Sequence, residues 1–215
     1  MQHAELVKRV IRAYDDPVVR AYCQVRFRIL HQRFMREIEQ YLPARGVTLD
    51  VGCGFGLFSL YFAIKSPGRS ILGIDLDSRR IQMATCAAQR LGLRSANYQT
   101  IDAQLFRLDQ PIDAAYMLDI VHHIPRESVR PLLEQIHDRL PTGAPLIVKD
   151  IGRRPAWKMG FTWLLDKLVD FKAPVSYWEV EELRTLLTAV GFDVKCHSMV
   201  DYLPYSHELF IGHKS

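Results

Sequence analysis

The chain has 215 residues, 48% hydrophobic, 24% charged and 10% aromatic, the composition of a globular protein with an ordinary core. No stretch of about 18 apolar residues free of charge occurs, which excludes a membrane-spanning helix. The formal charge of +4 sits wholly in the N-terminal fifth: residues 1–46 carry nine basic and five acidic side chains, residues 47–151 eleven of each, and residues 152–215 eight of each, which excludes a generally basic nucleic-acid binder.

The first elements are helical. Leu6, Val10 and Ile11 form a short amphipathic helix, and Val18, Tyr22, Val25, Ile29, Phe34, Ile38 and Tyr41 predict one long helix over 17–42, with Arg20, Arg26, Arg28, Arg33 and Arg36 on its other sides. Pro17 suits its first turn, and Pro43 with Gly46 ends it. From Val47 short apolar runs alternate with helical patterns. Strands are expected at 47–51, 70–75, 96–101, 112–118 and 144–150, and helices from the glycine turn to Ala63, over 78–91 and over 126–139. Such alternation indicates βαβ units and a parallel sheet. Beyond it, Trp157, Phe161, Leu164, Leu165, Leu168 and Phe171 make a second amphipathic stripe, and a further helix covers 179–190. Residues 192–200 and 203–214 then read as two consecutive strands with no helix between them, so the last one is expected to run antiparallel. The four cysteines, Cys23, Cys53, Cys86 and Cys196, stand at least 30 residues apart. They read as free thiols in a reducing cytoplasm, with no metal site. The opening MQHAELVKRVIRAYDD lacks the apolar core of a signal peptide, which also points to a cytoplasmic protein.

The strongest local signal is TLDVGCGFG at 48–56. Gly52, Cys53, Gly54 and Gly56 follow the first strand of the sheet, where open α/β sheets bind ligands, and glycines allow backbone N–H groups to approach a ligand closely. A nicotinamide fingerprint needs a third glycine where Leu57 stands, and Asp50 inside the strand would repel a pyrophosphate. A ligand with a positive end suits that carboxylate. The segment D-x-G-x-G-x-G after a strand resembles the first motif of class I S-adenosylmethionine-dependent methyltransferases, and three later segments match the family in order over residues 47–150. The resemblance implies an α/β, Rossmann-like, seven-stranded and mostly parallel sheet with helices on both faces and the last strand antiparallel, preceded by a helical extension. It divides the chain into a helical cap at 1–46 and a methyltransferase domain at 47–215, with an aromatic insert at 152–178 as acceptor lid, membrane contact or plain core.

The same resemblance implies roles for single residues. Asp50 with Gly52, Cys53, Gly54 and Gly56 receives the zwitterionic tail of S-adenosyl-L-methionine; Asp75 takes both ribose hydroxyls; Leu76 packs on the adenine face; Asp102, with Ala103 beside it, receives the adenine amino group; and Leu118 lies near the cofactor. The competing role for Asp75, a helix N-cap, falls better to Asp77 or Ser78. At the end of the fourth strand, in YMLDIVHHIP, stand Asp119, His122 and His123. A histidine titrates near neutrality and suits a general base toward a hydroxyl, with His123 favoured over His122. Packing, capping or a bond to a carbonyl are the alternatives for either. DIVHHIP lacks the (N/D/S)PP(Y/F/W) segment of nucleobase amine methylation, there is no nearby cysteine pair for attack on pyrimidine carbon, and the Asp-Asn pair of magnesium-dependent members is missing, so no metal is expected. For Lys149 and Asp150, ending the fifth strand, the two readings are groups facing the acceptor and a surface ion pair, with the ion pair favoured. The expected acceptor is a small, partly apolar, lipid-like, polyketide or aromatic compound, with peripheral membrane contact left open and DNA excluded. RNA or protein as acceptor, and a non-catalytic cofactor-binding regulator, are the alternatives.

Overall fold

The computed structural model describes residues 2–103, 107–151, 176–199 and 207–215. Its strands are β1 (Arg45–Val51), β2 (Gly68–Asp75), β3 (Ala96–Thr100), β4 (Ala114–Leu118), β5 (Pro145–Ile151), β6 (Phe192–Met199) and β7 (His207–Lys214). They form one seven-stranded sheet in the order β3-β2-β1-β4-β5-β7-β6. β1, β2 and β3 pair in parallel, as strands joined by helical crossovers must. β7 follows β6 without such a crossover and runs antiparallel to both β6 and β5, so the reversed last strand is as expected. The expected aromatic insert lies outside the described residues except for Ser176, Tyr177 and Trp178.

Two compact units make up the chain: Met1–Leu105 with Ile112–Ala115, and Phe106–Pro111 with Tyr116–Ser215. The first carries α1 (His3–Arg12), α2 (Pro17–Ile29), α3 (Gln32–Glu39), α4 (Leu57–Lys65) and α5 (Ser78–Leu91). α4 is apolar nearly all round, and Leu57 to Ala63 are all buried, as a helix without a polar face requires. α5 starts where Asp77 Oδ1 accepts from the N–H groups of Arg79 and Arg80, at 2.9 and 3.1 Å, and stops at Gly92 in the left-handed region. α1 packs on α4 through Leu6 and Val10.

The expected single helix over 17–42 is two helices. Leu30 and His31 leave helical geometry, and His31 Nδ1 accepts from Arg33 N–H at 3.3 Å, so its side chain starts α3 afresh. The inward stripe of α2 is also rotated from the expected one by about one residue. Val19, Cys23 and Phe27 are buried, while Val18 and Val25 face solvent. Phe27, with Cys23 and Val19 on its stripe, fills the core, and Val18 and Val25 are left outside.

Arg69 is fully buried in this unit, and its guanidinium satisfies every donor. It bonds both carboxylate oxygens of Glu39 at 3.1 and 3.2 Å and the carbonyls of Pro43, Phe62 and Leu42 at 2.8, 3.1 and 3.2 Å. The end of α3 is thereby tied to α4 ahead of β1. In the second unit α6 (Arg126–Arg139) buries Val129, Leu132, Leu133 and Ile136, and α7 (Val180–Val190) buries Leu183 and Leu187. Arg126 joins the two, pairing with Glu182 and lying 4.4 Å over the Trp178 ring.

Candidate active site

The turn after β1 is built from three glycines with positive φ: Gly52 at 73°, Gly54 at 55° and Gly56 at 74°. Side chains rarely adopt that region, which fixes the residue type. The N–H groups of Gly52 and Cys53 both reach the Ile74 carbonyl, at 2.8 and 3.0 Å, so the turn hangs from the end of β2. A Cβ built on Gly54 would meet nothing nearer than Asp75 Oδ2 at 4.0 Å, which leaves that backbone open to close approach. Gly56 has a different reason for its identity: a Cβ there would lie 2.8 Å from Tyr98 Oη and 2.9 Å from Ala84 Cβ.

Tyr98 supports the turn from below. Across the sheet Asp50 stands opposite Gly73, and Gly73 opposite Tyr98. A Cβ on Gly73 would fall 2.5 Å from the Tyr98 ring and 3.0 Å from Cys53 Sγ, so the missing side chain makes room for both. Burial first, then the nearby Cys53 and Asp50, pushes the Tyr98 phenol well up. Burial, followed by Asp50 and Asp75, does the same to the Cys53 thiol, which is therefore kept un-ionised. Asp50 is buried, and its carboxylate accepts the Ser59 hydroxyl from α4.

Asp75 uses each carboxylate oxygen once: Oδ2 accepts from Gly54 N–H at 2.8 Å and Oδ1 from Asp77 N–H at 2.9 Å. Each oxygen keeps a second lone pair. Asp77, not Asp75, caps α5, while the exposed Leu76 follows Asp75 directly. Ile101 N–H bonds the Asp75 carbonyl at 3.0 Å, which brings the half-buried Asp102 and Ala103 to the same edge. The structure thus gathers Asp50, Gly52, Cys53, Gly54, Gly56, Asp75, Leu76, Asp102 and Ala103 around one turn.

Sequence reasoning missed what holds this turn from the N-terminal side. Tyr14, buried between α1 and α2, donates its hydroxyl to the Phe55 carbonyl at 2.7 Å, and the Tyr22 ring stands edge-on to Phe55 at 5.3 Å. Arg90 donates to the Ala13 carbonyl at 2.8 Å and Arg79 reaches Asp16 at 3.8 Å, fixing the α1–α2 elbow on α5.

In the second unit, Leu118 is buried at the end of β4, and Asp119 follows with φ 58°, a left-handed conformation that aspartate tolerates better than most side chains. Its N–H bonds the Lys149 carbonyl at 2.8 Å and its carboxylate pairs with Lys149 Nζ. His122 and His123 occupy a short 3-10 turn. His122 is buried, its ring Nδ1 bonded to the Asp150 carboxylate and its N–H to Asp150 Oδ2 at 3.0 Å. His123 is half-buried, 4.1 Å ring to ring from His122, while Tyr177 stacks on His122 at 5.5 Å. The expectation of a surface ion pair between Lys149 and Asp150 is wrong. Both are buried, and each turns to a different partner after β4, Lys149 to Asp119 and Asp150 to His122. Buried charges persist only when paired and hydrogen-bonded, and here both are.

The donor set around the glycine turn fits S-adenosylmethionine: open backbone at Gly54, carboxylates for a cationic amine and for paired hydroxyls, and an apolar side chain in solvent beside them. Fold and turn together are those of the class I S-adenosylmethionine-dependent methyltransferase fold. A family model described as "Methyltransferase domain" matches residues 23–197, and the chain belongs to that family. It is 29% identical over 110 residues to a ubiquinone biosynthesis O-methyltransferase of Leptothrix cholodnii, covering 50% of this chain and 45% of that protein. It is 30% identical over 124 residues to the 23S rRNA (uracil(747)-C(5))-methyltransferase RlmC of Cronobacter sakazakii, covering 54% of this chain and 32% of that protein. The chain thus spans less than half the length of these curated relatives. Magnesium protoporphyrin IX methyltransferase (ChlM) of Synechocystis PCC 6803, solved with bound SAH, shares the fold with a TM-score of 0.69 at 20% identity, over 97% of this chain and 93% of that one. Among the described residues no helix is long and apolar enough to cross a membrane.

Proposed function

We propose that this protein transfers a methyl group from S-adenosylmethionine to a hydroxyl or other heteroatom of a small, partly apolar acceptor, lipid-like, polyketide or aromatic, by in-line displacement. Bound at the glycine turn, the sulfonium cofactor supplies an electrophilic methyl group. In this reading Asp50 and the glycine backbone hold its amino-acid end, Asp75 its ribose, and Leu76, Asp102, Ala103 and Leu118 its adenosine. His123 accepts the acceptor's proton. His122, fixed by Asp150, supports His123, and the Asp119–Lys149 pair holds the loop that carries both histidines. The observation behind this assignment is the half-buried His123 next to a carboxylate-bound His122. Orientation and proton removal are the contributions such a donor needs from a protein.

The RlmC relatives raise uracil C5 as an alternative target. Attack on pyrimidine carbon calls for an ionisable cysteine nucleophile, and burial pushes the Cys23 thiol up to about 12 and the Cys53 thiol well above its ordinary value. Heteroatom transfer is therefore preferred. The four free thiols accord with a reducing cytoplasm. The test is mass spectrometry of cell extract incubated with the protein and a deuteromethyl-labelled cofactor. The parent should label a small molecule, and His123→Ala should slow labelling by about a hundredfold or more while binding the cofactor normally. Unchanged labelling when both histidines are replaced by alanine would defeat the base assignment.

A further inference from the structure

Resting on the methyltransferase reading, we propose that the outward face of α2 is an acceptor-binding surface for an anionic amphiphile, a molecule with an extended apolar body and one negative end. Among the described residues the large apolar side chains left in solvent are Val18, 74% exposed, Val25, 50%, and Leu76, 71%. Val18 and Val25 stand two turns apart on one face of α2, and Leu76 follows Asp75. Folding does not require that valine face. α2 buries the other one, where Phe27 meets the rings of Phe58 and Tyr61 at 5.6 and 5.9 Å. Single exposed apolar residues are ordinary, but an apolar strip continuous with a binding turn is the kind that contacts a ligand. Here Tyr22 supplies the continuity, lying between the two valines and edge-on to Phe55 of the glycine turn at 5.3 Å.

Charge sets the far end of the strip. α2 contains no acidic residue. Arg20 donates to the Tyr14 carbonyl at 2.5 Å, and Arg26 lies over the Phe58 ring at 5.6 Å. Arg28 is exposed, follows Val25 by one turn on the same face, and forms no ion pair among the described residues. At the opposite end Asp16 is engaged in capping α2 and in pairing with Arg79. From Val18 to Arg28 the helix rises about 15 Å, which sets the length of the body the strip accommodates. A short polar acceptor would leave both valines uncovered, and a cationic one would meet Arg28.

Laurate below its micellar concentration reproduces both features and serves as the probe, titrated calorimetrically into the full chain. The parent should bind it at one site. Val18→Asp with Val25→Asp, both surface changes, should weaken laurate at least tenfold, and Arg28→Gln about tenfold with loss of salt dependence. S-adenosylmethionine affinity should stay within twofold in both variants. Laurate affinity within twofold of the parent in the double variant, or no laurate binding by a parent that binds the cofactor, overturns the proposal. A parent that binds laurate and not the cofactor instead refutes the methyltransferase reading, and with it the acceptor role of this strip.

Discussion

Asp75 and Asp77 lie two residues apart, and only Asp75 should matter to the cofactor. Replacing Asp75 by asparagine keeps one acceptor oxygen and turns the other into an amide donor, which must then face either Gly54 N–H or Asp77 N–H. A hydrogen bond to an ionised carboxylate contributes about 1.5–3 kcal/mol when buried, and this half-exposed site belongs at the low end. The variant should therefore lose about 1–2 kcal/mol of stability, lowering Tm by roughly 2–8 °C for a chain of this size. On the ligand side, one ribose hydroxyl loses a charged acceptor, and at about 1.4 kcal/mol per factor of ten the cofactor product should bind roughly ten- to a hundredfold more weakly. Asp77→Ala removes the cap of α5, costing about 1 kcal/mol, and should leave that affinity within twofold. Urea denaturation with calorimetric titration of S-adenosylhomocysteine measures both quantities. An Asp77 variant that binds as weakly as the Asp75 variant, or an Asp75 variant that binds normally, refutes the division of labour. A 2′-deoxyribose analogue sharpens the comparison, because its penalty should shrink in Asp75→Asn if the two groups touch.

Gly56→Ala forces a left-handed alanine against Tyr98 and Ala84, and strain of about 1–2 kcal/mol plus overpacking of about 1–3 should appear as about 2–5 kcal/mol in urea denaturation. A loss under about 1 kcal/mol would contradict the contacts drawn around that turn. Lys149→Met leaves the Asp119 carboxylate buried without its cation and should cost about 3–5 kcal/mol, most of it recovered in Lys149→Met with Asp119→Asn, a double-mutant cycle that should show strong coupling. Burial raises the Glu208 pKa, only partly offset by Ser198 and His197. The folded state therefore holds this proton longer than the unfolded chain, and the stability it contributes at low pH is lost as pH rises through the folded value. Glu208→Gln should raise the denaturation midpoint at about pH 7 and leave it unchanged at about pH 4.

Strands and glycine turn were legible because their signals are local. A buried parallel strand is an uninterrupted apolar run, and VTLDV or APLIVKD declares itself without its neighbours. The break at Leu30–His31 was not legible, since no glycine or proline stands there and a histidine side chain does the capping. Nor was the face of α2, because Val18, Tyr22 and Val25 on one side and Val19, Cys23 and Phe27 on the other offer two stripes of similar hydrophobicity, and only packing against Phe58 and Tyr61 selects one. Tyr98 left a faint trace in Gly73, a glycine inside a strand, which signals close approach. Lys149 and Asp150 carried a clearer one. Two opposite charges ending an apolar strand read as surface only until β4 supplies separate partners. Tyr14 gave no sequence signal, since its hydroxyl meets a backbone carbonyl that any residue at position 55 would present.

The turn at Gly52–Gly56, backed by Asp50 and Asp75, should hold S-adenosylmethionine and not a dinucleotide. Calorimetric titration of the parent with S-adenosylmethionine, S-adenosylhomocysteine and NAD tests it most directly. The first two should each saturate one site and displace one another, with no heat from NAD; saturation by NAD and none by S-adenosylmethionine would contradict it.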